Sequence, residues 1–350
     1  MLIGSGALAL MAFIPIWMGS QMSLSSIGPG GMRKADDSDE IVYAEAMTQH
    51  DAGMFPVIGT GVLVTLFVLF KFLKLQDYVN MILTAYFVAI GIYAVSSSFA
   101  KPFLARLPGC GTQDEDAYDL SLNLWFWDPT AEPVTLSFTN LDVMAVAVST
   151  LLCLLYALGG KHWILNNLIA LAFCIEGLRS LSIGSYKIGT ILLGGLFFYD
   201  IFHVFYSHHV FGDSTMVTVA RGLQAPIAVK FPRQIFTSFN TNLSLLGLGD
   251  IVLPGVFIAL LRRFDAYKSD SLSATPVYFI VTYISYIFGL VATFAVMYVF
   301  NAAQPALLYL VPAVLGGSFA TATLRGEIGD LLSYSEGAQE EDDLDSKKTQ

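Results

Sequence analysis

Two aspartates, Asp200 and Asp250, each stand alone in a long apolar stretch. In GGLFFYDIFHVF (194–205), Asp200 is the only charged residue between Lys187 and Asp213. In SLLGLGDIVLPGVFIALL (244–261), Asp250 is the only one between Arg233 and Arg262. An ionised carboxylate at mid-bilayer costs at least ~2.5–3.5 kcal/mol, so such a group faces a cavity or a partner. If the two meet in a low dielectric they cannot easily both ionise, and the pair then holds one proton between them. One carboxylate is then a base for a water while its protonated neighbour is an acid for a carbonyl oxygen.

That is the logic by which aspartic proteases hydrolyse a peptide bond without a metal, a cofactor or a covalent intermediate. The same two acids also suit a proton- or ion-coupled carrier, and charge and depth alone favour that carrier. A third reading is an escort that delivers membrane proteins to degradation without cutting them.

The elements that must position these acids are membrane-spanning. The chain has 350 residues, 55% apolar and 13% charged, with a mean hydropathy of +0.63. Ser271 to Leu324 contains no Asp, Glu, Lys or Arg, which leaves room for two spans of about 20 residues each. Hydropathy and helix breakers predict nine helices, near 2–22, 54–73, 77–100, 143–160, 163–183, 187–206, 244–264, 275–300 and 304–324. The opening MLIGSGALALMAFIPIWMG lacks the basic start of a signal peptide and is read as a retained first span. The expected fold class is an all-α polytopic membrane protein. Helices 1–5 with polar loops 23–53 and 101–142 make up residues 1–183, helices 6–9 make up 184–325, and 326–350 is a disordered cytosolic tail. Within 101–142, LSLNLWFW, DPTAEP and VTLSF read as a β-hairpin with Trp125 and Trp127 at the membrane interface. Glu176 and Arg179, one turn apart, read as a neutralised pair near the membrane surface.

The net charge of −10 is concentrated in loop and tail clusters and gives no support for a nucleic-acid partner. Three cysteines, two of them in predicted spans, leave no disulfide framework. With nine spans, twelve Lys and Arg fall on the C-terminal side of the membrane and six on the other, which puts the N-terminus outside or in the lumen and the C-terminus in the cytosol. On these boundaries each acid is six residues from the non-cytosolic end of its helix, roughly 9 Å deep at 1.5 Å per residue. Antiparallel neighbours would bring them face to face.

The ordered set Tyr199-Asp200, Gly247-Leu248-Gly249-Asp250 and Pro305-Ala306-Leu307, each in an apolar span, resembles the signal peptide peptidase and presenilin family of intramembrane aspartyl proteases. The likeness extends through KHWILNNLIALAF, MVTVARGLQAPI and QPALLYLVP and covers about residues 54–325. It implies a presenilin-like fold of nine spans. Asp200 and Asp250 become the catalytic pair, supported by Tyr199, Gly247, Leu248, Gly249, Pro305, Ala306 and Leu307. The implied substrates are transmembrane-helix peptides within the lipid bilayer: remnant signal peptides and other type II or tail-anchored segments, whose helix must unwind before its amides can be reached. Further copies of the chain and membrane-protein degradation machinery are the other partners it suggests. His203 stands where the family often has Trp and is a candidate modulator of the pair. His208, His209 and Asp213 form too small a cluster for a metal site, and neither H-E-x-x-H nor G-x-S-G occurs. Lys347 and Lys348, three and two residues from the end, form a dilysine pattern of the kind that retrieves proteins to the endoplasmic reticulum. Asn242-Leu243-Ser244 is a glycosylation sequon close to the seventh helix.

Overall fold

A computed structural model describes residues 2–28, 32–34, 41–43, 46–107, 117–122, 134–212, 215–232, 243–269, 275–300 and 304–336. Its helices are α1 (Leu2–Ile27), α2 (Gln49–Lys71), α3 (Gln76–Leu104), α4 (Asn140–Leu158), α5 (Trp163–Ser180) and α6 (Tyr186–Phe211). They continue with α7 (Thr215–Gly222), α8 (Gly249–Ser269), α9 (Val277–Phe300), α10 (Leu307–Arg325) and the short α11 (Ile328–Ser333). The strands form three two-stranded antiparallel ribbons. These are β1 (Met32–Lys34) with β2 (Ile41–Tyr43), β3 (Ala117–Leu122) with β4 (Val134–Thr139), and β5 (Ala228–Pro232) with β6 (Leu243–Gly247). This is an all-α polytopic membrane fold with small ribbons between helices.

Among the described residues, seven helices, α1, α2, α3, α4, α6, α9 and α10, are long and apolar enough to cross a bilayer. The helices at the expected fifth and seventh positions are α5 and α8, which are not apolar enough to count with these seven: α5 carries Asn166, Asn167, Glu176 and Arg179, and α8 carries Asp250, Arg262, Arg263, Asp265 and Lys268. Their environment makes that tolerable. Helix α8 packs against α1, α5, α6, α9 and α10, so its polar groups meet protein instead of lipid. Close approach here depends on missing side chains. Leu178 of α5 fits between α1 and α8, and a Cβ on Gly19 or on Gly255 would come within 2.6 or 2.7 Å of it.

Helix starts follow local chemistry. Thr48 with Asp51, and Thr139 with Asp142, form capping boxes that satisfy the first amides of α2 and α4. Arg179 lies 3.9 Å from Glu176, a loose pair, while Ser97 and Tyr93 donate hydroxyls to the Glu176 carboxylate and Arg179 reaches Ser26. The expected hairpin is β3–β4, begun three residues earlier than LSLNLWFW suggests. Trp125, Trp127 and Cys110 lie outside the described residues.

Two expectations need correction. The seventh helix does not begin at 244: Leu243–Gly247 is strand β6, paired with β5, and helix starts only at Gly249. Cross-strand pairing, unavailable to a local reading of the apolar pattern, wins over helix propensity there. The tail also does not leave the protein at 326. Residues 326–336 fold back as α11 and a terminal turn; Ser335 pairs with Ser185, and Glu336, 5% exposed, is bound beneath the helices.

At that end Glu327 receives bonds from Arg325, Lys268 and Tyr278. Burial works against its charge, but these donors outweigh it and hold the carboxyl at about 2, below its ordinary 4.5. A depressed carboxylate stabilises the fold above its unfolded value and loses that contribution as pH falls through the folded one. Thermal unfolding followed from pH 5 to pH 2 should therefore show a loss of stability in wild type that is smaller in Glu327→Gln.

Candidate active site

Asp200 lies midway along α6, which continues eleven residues beyond it to Phe211 through a π-helical turn at Phe202–Tyr206. The acid is therefore about 16 Å from that helix end, not 9 Å. Its side chain is 2% exposed, and its Oδ2 accepts the backbone N–H of Leu307 at 2.9 Å. Leu307 is the first residue of α10, so this amide is one of the donors a helix start leaves without an internal partner. The positive end of α10 thus points at the carboxylate. Pro305 and Ala306, both buried, bring the chain to that position.

Asp250 reaches the same region by a different route. The ribbon β5–β6 carries the chain inward, and Asp250 is the second residue of α8. Leu248 closes the junction: its N–H donates to Ile227, and its carbonyl accepts from Ile251 and Val252. The Tyr286 hydroxyl donates to the Asp250 carbonyl at 3.2 Å. Helices α6 and α8 touch, which brings the two elements that carry the acids together. Whereas Asp200 is enclosed, Asp250 is partly accessible and the adjoining Gly249 is exposed.

Gly247 has a steric role that the sequence only hints at. A Cβ there would stand 3.3 Å from Asp250 Oδ2, tight enough to push the carboxylate by a few tenths of an ångström. If Asp250 is a reacting group, Gly247→Ala should leave the fold intact and lower turnover by roughly tenfold, since small displacements of such a group are costly. Turnover measured beside a thermal melt would check both halves of that expectation.

Tyr199 leans on α2, where Gly59 leaves room for its ring, and lies 4.6 Å from the His203 ring. His203 is fully buried; Nδ1 meets the Thr215 hydroxyl at 3.0 Å and Nε2 the Thr60 hydroxyl at 3.3 Å. Ser207 extends the cluster, donating to the His203 carbonyl and accepting from the Thr215 amide. Thr60, Thr215 and Tyr286 carry no motif that sequence reasoning could have singled out.

Asn166 and Asn167 did carry a signal, two amides side by side in an apolar helix. Asn167 accepts from the Lys230 N–H and donates to its carbonyl, and Asn166 donates to the Ala228 carbonyl. They occupy the outer edge of β5 as a neighbouring strand would. Antiparallel alternation then turns the backbone of Leu245 and Gly247 to the opposite edge of the ribbon, where it has no partner among the described residues. Lys347, Lys348, Asp213 and Asn242 lie outside the described residues.

A multi-pass helical fold that brings Tyr199-Asp200, Gly247–Asp250 and Pro305–Leu307 together is that of an intramembrane-cleaving aspartic protease, and the comparisons agree. The signal peptide peptidase family model matches residues 38–338, and the chain belongs to that family. It is 38% identical over 333 residues to the signal peptide peptidases of Mus musculus and Homo sapiens, covering 95% of this chain and 82% and 83% of theirs. It is 31% identical over 321 residues to a probable intramembrane protease of Schizosaccharomyces pombe, covering 91% of this chain and 93% of that protein.

Proposed function

We propose that Asp200 and Asp250 are the catalytic pair of this protease and that its substrates are signal peptides left in the membrane, together with other helices whose N-terminus faces the cytosol. The observation that carries the reading is the bond from the Leu307 amide to Asp200, together with the contact between α6 and α8, the helices that carry the two acids. With one proton on the pair, the ionised carboxylate takes a proton from a water as its oxygen bonds to the scissile carbon, and the protonated one gives its proton to the carbonyl oxygen. Collapse of the resulting diol returns a proton to the leaving amine and breaks the C–N bond. The Leu307 amide serves as a fixed donor that orients Asp200.

A helix hides its amides, so the substrate unwinds before the cut. The free edge of β6, at Leu245 and Gly247, is suited to receive the unwound segment as an added strand leading to Asp250. Gly247, Leu248 and Gly249 support that path, and Tyr199, Pro305, Ala306 and Leu307 frame the pair. Nine spans, a lumenal N-terminus and a cytosolic C-terminus in the endoplasmic reticulum membrane, with Lys347 and Lys348 as a retrieval signal, complete the reading.

The test is cleavage of a labelled signal-peptide helix by the purified protein, with inhibition by a hydroxyl-containing transition-state mimic. Folded wild type that cuts nothing would return the carrier and escort readings. His203 would act on the pair through Tyr199 and the position of α6. His203→Gln should then shift the pH–rate profile, and an unchanged profile would reduce it to a packing residue.

A further inference from the structure

A cavity of about 400 Å³ lies between the start of α6 and the second half of α10, beside α11. Ile191, Leu315, Phe319 and Leu332 form its walls. Ile191, Phe319 and Leu332 are each more than a third exposed, so the cavity opens toward the bilayer. The hydroxyls of the lining are already committed. That of Tyr186 lies 3.0 Å from the Ser318 hydroxyl and joins α6 to α10, and that of Thr190 donates to the Tyr186 carbonyl.

One charged residue remains in the lining, Lys187. It is exposed and makes no ion pair among the described residues. The acids that α11 and its flanks bring to this end of the molecule are held by other cations: Glu327 by Arg325 and Lys268, Asp330 by Lys268, and Glu336 by Arg263. An apolar cavity with a single uncompensated cation at its rim suits an amphiphile that carries negative charge.

Depth and size narrow the choice. Lys187 is the second residue of α6, and Ile191 follows about one turn further in. The ammonium is therefore level with the helix ends, where phosphate headgroups lie, while the apolar walls continue from there into the hydrocarbon. Tyr186 to Ile191 spans roughly 8 Å along α6. Over that length, a volume of about 400 Å³ corresponds to a cross-section of about 50 Å², too narrow for a helix 10–12 Å across and sufficient for an extended chain.

We propose that this cavity binds one phospholipid of the leaflet that contains the start of α6, with its phosphate on Lys187 and one acyl chain between Ile191, Leu315 and Phe319 beside Leu332. The site is separate from the acids and independent of the proteolytic reading. The Leu307–Asp200 bond joins α6 and α10 at the other end of α10, so a bound lipid braces the same two helices a second time.

The experiment adds a phosphatidylglycerol with a photoreactive diazirine in its acyl chain to the full-length protein in detergent micelles and maps the cross-linked residues by peptide mass spectrometry. Label is expected to concentrate on residues 186–191 and 315–319. Unlabelled phosphatidylglycerol should displace it, and a diacylglycerol with the same chains, lacking only the phosphate headgroup, should do so about fivefold less well, the contribution of one lysine at a membrane surface. Lys187→Gln should lower labelling by the same factor, Lys187→Arg should keep it, and Leu315→Trp, which fills the cavity, should abolish it. Equal displacement by the two lipids in wild type would overturn the proposal, and that comparison needs no variant to fold. Label spread evenly over the lipid-facing residues of α2 and α4 would mean ordinary bilayer contact and would overturn it too. So would displacement by a sterol or by an apolar peptide helix in place of the phospholipid, or by inorganic phosphate, which would make the site one for free anions.

Discussion

Asp250→Asn, and separately Asp200→Asn, should each lower peptide cleavage on the order of 10²–10⁴-fold, the range lost with an acid or base that moves a proton in the transition state. The double variant should fall no further than either single one, because in the proposed mechanism the two carboxylates act as one unit. Stability should move the other way. Each acid sits in an apolar helix, Asp200 almost fully enclosed, and a neutral amide removes the cost of holding charge there. The purified variants should therefore melt at or above the wild-type temperature while being inert. Initial rates on a labelled signal-peptide helix and melting curves on the same preparations would separate loss of chemistry from loss of fold. Substantial cleavage by either Asn variant would remove that residue from the mechanism.

The second large effect concerns Glu336, eleven residues beyond α10. The Arg263 guanidinium and the Glu336 carboxylate are both out of solvent, joined by Nε to Oε1 at 2.6 Å and by a second bond at 3.0 Å to Oε2. Ser182 and Tyr334 also donate to the carboxylate, and Ser23 of α1 accepts from Arg263. The Glu336 amide donates to the Gly184 carbonyl just before α6 begins. One residue thus ties the far end of α8 to the start of α6, the two helices that carry Asp250 and Asp200. Glu336→Ala would leave a buried guanidinium without its counter-charge, a change that costs about 3–5 kcal/mol. A chain ending at residue 335 should lose as much. Replacing both partners, Arg263→Met with Glu336→Met, should recover most of it, since an apolar pair of similar size avoids the desolvation cost altogether. Unfolding in detergent, followed by heat for all four proteins, would show this order; a Glu336→Ala protein as stable as wild type would mean that the ion pair contributes nothing net.

What the sequence determined by itself was local. Charge-free runs such as 271–324 specify apolar helices because lipid leaves the backbone no other way to satisfy its amides. Asp200 and Asp250 stood out because an isolated charge in such a run is costly, and that cost can be read without coordinates. The ordered motifs Tyr199-Asp200, Gly247–Asp250 and Pro305–Leu307 sufficed to indicate the family. Tertiary structure decided what depends on partners distant in the chain. Leu243–Gly247 looks like the beginning of a helix until Ala228–Pro232 pairs with it, and that pairing moves Asp250 from one and a half turns inside a helix to its first turn. The Leu307 amide finds Asp200 from 107 residues away, and Glu336 finds Arg263 from 73. The acidic, polar composition after residue 325 reads, taken locally, as a solvated tail. It cannot show that one of those acids meets a buried arginine, because the arginine's need for a counter-charge exists only once α8 is enclosed.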